Sequence, residues 1–230
     1  MPVIRYKALI VHRINDYVII CLFVLANIGA LIIVRHSFGG EIETQVFVGL
    51  LAIMTTLGVF MAYYNIKRLQ IDQHRAWMLC TWFYAGSIIT LRLIMIISAK
   101  IISSIGGCYR AMPCDQIASM FNDQEKINAS YPQCSSATGI SSGWIAVPAN
   151  FSGKSHVAAV LDMTFGTTGW LALALHAVGV EIYLQLTPRE SERLRGVSYQ
   201  RQLEAGFSHT GSSGITADRW GDADTWKAQQ

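Results

Sequence analysis

The chain has 230 residues, 52% of them hydrophobic and only 14% charged, with a mean hydropathy of +0.34. A soluble globular domain carries roughly 25% charged residues, so an ordinary water-soluble domain is excluded. The formal net charge of +3 is too small for a nucleic-acid partner, and the composition points to a lipid bilayer.

The apolar stretches come in four blocks near the roughly 20 residues that a helix needs to cross about 30 Å of hydrocarbon. They run from about Tyr17 to Val34, Gln45 to Asn65, Trp77 to Ser104 and Val157 to Leu186. The first two are uncharged, the third holds Arg92, and the fourth holds Asp162, His176 and Glu181. The expected fold is all-α: a four-helix transmembrane bundle. Residues 1–16 form an interfacial N-terminal segment and 17–104 the first three spans. A long non-cytosolic loop follows over 105–156, then the fourth span over 157–187 and a largely disordered cytosolic tail over 188–230.

Orientation follows from basic residues, which accumulate on the cytosolic side. Arg5, Lys7, Arg13, Lys67, Arg68, Arg75, Arg189, Arg193, Arg195, Arg201, Arg219 and Lys227 fall on one side, twelve in all; five fall on the other. Both termini are therefore expected in the cytosol. The plasma membrane and an endomembrane fit equally.

The 105–156 loop contains Cys108, Cys114 and Cys134. In an oxidising compartment two of them are expected to pair, and spacing does not choose which. The loop also holds two N-glycosylation triplets, at Asn128 and Asn150. In the tail, Arg189–Ala205 suits one charged helix. From Gly206 onward Ser, Thr, Gly and Asp dominate without an apolar period, which is the composition of disorder.

Ionisable groups inside a membrane are costly and mark interior or functional faces. Arg92 and Asp162 both fall in the outer part of their spans. They can pair with each other, or Arg92 can snorkel or hold a substrate anion. Asp162, Gly169, His176 and Tyr183 recur every seven residues and share one helix face, on which small residues permit close packing. His176 is either an interhelical hydrogen-bonding group or a ligand or proton carrier. His12 and His74 each precede an arginine at a span mouth, as interfacial caps or as a pair of metal or haem ligands. No soluble-enzyme motif is present.

The stretch Ala62-Tyr-Tyr-Asn-Ile-Lys-Arg-Leu-Gln-Ile-Asp-Gln-His-Arg-Ala-Trp-Met78, followed by Thr90-Leu-Arg-Leu93, resembles a family of multi-pass membrane proteins known as domain of unknown function 2306. Its mark is His-Arg-x-Trp-Met at the start of a span, with Thr-Leu-Arg-Leu about a dozen residues on. Leu9-Ile-Val-His-Arg-Ile14 resembles the family's upstream His-Arg element, ahead of which relatives often carry a further span. The resemblance covers roughly residues 5–100 well and the fourth span loosely. It implies an integral membrane protein with function on His12, His74, Arg75 and Arg92, and it names no reaction. The leading expectation is a scaffold or accessory component that forms homo-oligomers or joins other membrane proteins, with no catalytic site, metal or cofactor assigned. The alternatives are a redox protein holding haem b through histidines, and an enzyme acting on a lipid or terpenoid with Arg92, Asp162 and His176 around a cavity.

Overall fold

The structure, a computed structural model, describes residues 9–37, 40–121, 124–134 and 143–228. The described residues are mostly helical. Three helices are long and apolar enough to cross a membrane: α2 (Ile42–Lys67), α3 (Ile71–Ile105) and α6 (Lys154–Leu186). The first helix, α1 (Leu9–Ile33), has an apolar run of only Tyr17–Ile33. At 1.5 Å per residue that run spans about 25 Å, at the short end of what hydrocarbon requires.

The expected all-α fold needs correction in the 105–156 loop, which is a small folded cap. Strand β1 (Tyr109–Pro113) leads into α4 (Cys114–Met120), α5 (Gln124–Ser130) and a 3-10 turn at Pro132–Cys134. Strand β2 (Trp144–Pro148) then pairs antiparallel with β1, Tyr109 opposite Pro148 and Pro113 opposite Trp144. The expected disorder after Gly206 is also corrected. Helix α7 (Pro188–Glu204), with Pro188 pre-setting its first turn, is followed by an ordered segment and a short α8 (Ala217–Trp220). The Ser-rich stretch 135–142 lies outside the described residues.

The chain divides into two compact units. The first comprises Met1–Ile32, Val48–Ser87 and Leu173–Gln230. In it α1 is tied to α2 by Asn27, whose amide donates to Thr55 (3.1 Å) and Thr56 (3.0 Å). A ring contact between Tyr17 and Tyr63 adds to this, and one between Phe23 and Trp82 joins α1 to α3. The turn between α2 and α3 is tight. Leu69 sits at φ 55°, a left-handed conformation that costs a non-glycine residue about 1–2 kcal/mol. The amide of Gln70 bonds back to the Asn65 carbonyl at 2.9 Å, closing the helix end.

The second unit comprises Ile33–Phe47 and Ile88–Ala172. Met112, Ile117, Ile127, Tyr131 and Val147 of the cap are buried together with Ala99 of α3 and Ala159 and Val160 of α6. The Tyr131 and Ser155 hydroxyls bond at 2.7 Å in this core. Phe47 packs where Gly169 has no side chain; a Cβ there would come within 2.7 Å of the ring. Cys114 and Cys134 form the disulfide, with Cα atoms 5.3 Å apart and a sequence separation of 20. Closing a loop of that size stabilises the cap by about 3 kcal/mol in the chain-entropy account. Cys108 is free.

In both units the outward helix surface is apolar, and the hidden one mixes apolar side chains with hydroxyl groups. Ile53, Leu57 and Phe60 of α2, Ile89, Leu93 and Ile97 of α3, and Leu175 and Val178 of α6 are exposed, whereas Thr55, Thr81, Ser87, Thr164 and Thr168 are buried. Buried threonines return their hydroxyls to their own helix: Thr55 to the Leu51 carbonyl at 2.7 Å, Thr168 to that of Thr164 at 2.8 Å. Lipid tolerates the first arrangement and demands the second, since no water is available to satisfy polar groups there.

Alkylation of denatured but unreduced protein should label Cys21, Cys80 and Cys108 and leave Cys114 and Cys134 untouched; reduction should expose all five to mass spectrometry. Label on Cys114 before reduction would refute this pairing.

Candidate functional site

The polar groups expected to carry function fall in separate surroundings. In the second unit Asp162 is buried on α6 and accepts a hydrogen bond from Gln116 of α4 at 3.0 Å. Arg110 of β1 pairs with Glu41 at 2.5 Å, and the Arg92 guanidinium lies 5.9 Å from the Phe165 ring centre. Asn128 is exposed on α5. The Asn150 side-chain carbonyl accepts the Ser152 amide at 2.9 Å and also meets the Ser152 hydroxyl.

In the first unit His176 lies edge-on to Phe83, 6.1 Å between ring centres, beside Gly86. His74, in the first turn of α3, donates through Nδ1 to the Ala62 carbonyl at 2.8 Å; a carbonyl only accepts, which settles the tautomer. Arg75 stacks 5.8 Å from the Tyr183 ring centre and comes within 3.5 Å of the Thr187 hydroxyl. The side chain of His12 lies outside the described residues.

Around the His74–Arg75 element the structure builds a site that the sequence reading missed. Its centre is a pair of fully buried amides, Gln70 and Gln202. Gln70 Nε2 donates to Asp72 (2.8 Å) and to the Gly211 carbonyl (3.0 Å). Its Oε1 accepts from Gln202 (2.9 Å) and from the Gly214 amide (3.1 Å). Gln202 also donates to the Arg68 carbonyl at 2.9 Å and accepts the Gly211 amide at 2.6 Å. Every polar hydrogen of both side chains is used, which is the condition for burying an amide without penalty. Asn65, also fully buried, accepts the Ile215 amide at 2.9 Å.

The start of α3 is completed from α7. The Ser198 hydroxyl accepts the Ile71 amide at 2.8 Å, one of the donors a helix start leaves open. Asp72 in the first turn lies where the helix dipole favours a negative charge. The segment 211–218 is held from its other side by Arg195, which donates to the Gly211 carbonyl (3.1 Å) and pairs with Asp218 (2.7 Å). Burial pushes the Asp218 carboxyl up, but hydrogen bonds from Ser212, the Trp226 amide and Arg195 outweigh it. They hold the group far below the usual carboxylate range.

Two glycines fix the register. A Cβ at Gly214 would lie 2.4 Å from Asn65 Oδ1 and 2.6 Å from Gln70 Cβ. At Gly211, where φ is +85°, it would lie 2.6 Å from the Trp226 ring. The sequence signal was present: buried-type amides beside the His-Arg element, and a Gly-Ser-Ser-Gly run. Composition alone reads such a run as disorder.

Residues 1–112 match the model of a family described as a predicted membrane protein, DUF2306. The resemblance drawn from the His-Arg-x-Trp-Met and Thr-Leu-Arg-Leu elements therefore holds over that stretch. No curated protein and no solved structure matches the chain.

Because the folded Asp218 is more acidic than the free side chain, its contribution is complete above the ordinary carboxylate pKa of about 3.9. It is lost as pH falls from there through the depressed value. Hydrogen exchange of amides 211–226, corrected for intrinsic rate, should stay flat from pH 7 to about 4 and quicken below. Asp218→Asn should remove that acid dependence. Loss of protection between pH 7 and 5 would assign the tail's hold to other groups.

Proposed function

We propose that the protein is a membrane scaffold that crosses the bilayer four times, with both ends in the cytosol, and whose His-Arg element organises a protein-holding surface instead of a redox or catalytic centre. The observation that carries this reading is the use made of the polar residues around that element. Asn65, Gln70, Asp72, His74 and Arg75 are directed at carbonyls, amides and rings of the same chain. The four-span count rests on the apolar block Tyr17–Ile33 being anchored to α2 through Asn27. The orientation rests on the basic asymmetry.

The haem alternative asks for two histidines at one depth. Phe83 and Gly86, which flank His176, lie nine and twelve residues beyond His74 on α3. That is roughly 13–18 Å of helix rise, so His74 and His176 do not bracket one iron. His74 with His12 would be the remaining pair. In the enzyme alternative Asp162 and His176 stand fourteen positions apart along α6, about 21 Å of helix rise.

Two measurements test the reading. Purified protein should show no stoichiometric Soret band, and a band abolished by His74→Ala would replace the scaffold with a redox protein. Tags at both termini should be protease-accessible from the cytosolic side of sealed vesicles, and a protected C-terminal tag would reverse the topology.

A further inference from the structure

Between residues 211 and 215 the tail is gripped mostly through its main chain, while Arg195 also holds the Ser212 hydroxyl and the Asp218 carboxylate. Gln70, Gln202 and Arg195 bind the amide and carbonyl of Gly211, Gln70 the amide of Gly214, and Asn65 the amide of Ile215. Side-chain groups that read the backbone of a segment are one means by which proteins hold peptides. Glycine is required at two positions, three residues apart: a Cβ at Gly214 would meet Asn65 and Gln70, while Gly211 holds φ +85° with its Cβ position against Trp226 of the tail itself. Asn65 and Gln70 lie within the stretch that matches the family and the bound segment lies beyond it. The segment leaves α7 through Gly206, whose φ of +72° ends the helix.

From this we propose that Asn65, Gln70, Arg195 and Gln202 form a peptide-binding site selective for a bent segment with glycines at the first and fourth positions. The chain's own residues 211–215 occupy it in cis, and a segment of the same kind occupies it in trans. This deepens the scaffold reading and rests on it, supplying the place where a partner is held. With the segment withdrawn, the amides face water and are satisfied by it, so the open site is not an orphaned one. A tethered occupant acts at an effective concentration in the millimolar range for a short linker. A partner therefore gains access only when the tail is displaced.

The test uses the full-length chain in lipid nanodiscs and a fluorescein-labelled peptide of residues 207–220. Gly214→Val should eject the tail, because its Cβ overlaps Asn65 and Gln70. The labelled peptide should then bind saturably, about tenfold or more tighter than to the unaltered chain, whose tail competes. Adding Gln70→Ala to the Gly214→Val chain should abolish binding. So should carrying Gly211→Val and Gly214→Val in the peptide. No saturable binding to a folded Gly214→Val chain, or equal binding of the valine peptide, overturns the proposal.

A second arm guards against misfolding of that variant. A protease site inserted after Ala205 in the otherwise unaltered chain is cleaved, and the severed tail should exchange with labelled peptide while the helical circular dichroism persists. A tail that never exchanges, or whose loss collapses the helices, overturns the proposal and makes the tail an integral part of the fold. To identify the source, Gly214→Val chains are mixed with Gln70→Ala chains, whose tails are free. A complex by light scattering assigns the segment to a second copy, and peptide binding without such a complex assigns it to another protein. A Soret band would remove the scaffold reading alone, and failure of peptide exchange would remove only this site.

Discussion

A buried amide side chain is tolerable only when both its hydrogens and its carbonyl oxygen find partners, and Gln70 and Gln202 meet that condition through each other. The rest of the first unit's polar end follows from this. Gln70 needs the Gly211 carbonyl and the Gly214 amide; Gln202 needs the Arg68 carbonyl and the Gly211 amide. Removing either side chain would orphan several groups at once, each worth about 1–3 kcal/mol when left unpaired in the interior. The network thereby links the turn at Leu69 and the start of α3 to the path of the tail.

The same requirement explains the helices. Their outward faces are isoleucine, leucine and phenylalanine, which lipid accommodates without cost, and their hidden faces carry hydroxyls bonded to carbonyls one turn back. Helix association without a hydrophobic force between the partners relies on close approach and a few polar contacts. Gly169 against Phe47 is one such approach in the second unit, and Asn27 with Thr55 and Thr56 one such contact in the first. The cap in the second unit obeys another rule. Its core is small, and the Cys114–Cys134 bridge restricts the unfolded alternatives of a segment that has little apolar surface to bury.

The His-Arg element illustrates how one motif can serve a fold and a function together. His74 closes onto a carbonyl of α2 and Arg75 onto a ring of α6, contacts that fix the helix ends. With those ends fixed, Asn65 and Gln70 present their amides in the arrangement that reads a peptide backbone. In the proposed reading the element acts by positioning its neighbours.

Hydropathy and helical length, summed over twenty residues, depend little on what surrounds them. The membrane character, the helices around Gln45–Asn65, Trp77–Ser104 and Val157–Leu186, the charged helix after Pro188 and the family resemblance were therefore legible in the chain itself. So was a disulfide among three loop cysteines, though not its pairing, which depends on how β1 and β2 bring Cys114 and Cys134 within reach. What escaped was everything decided by contacts distant in sequence. The start of α3 lies at Ile71, ahead of its apolar run, because Ser198 caps it from α7. The Gly-Ser-Ser-Gly tail is ordered because Asn65 and Gln70, about 140–150 residues earlier, supply hydrogen bonds that its own composition lacks. Local propensity cannot register such partners, since the stabilisation of a segment with no apolar face comes wholly from the groups it meets.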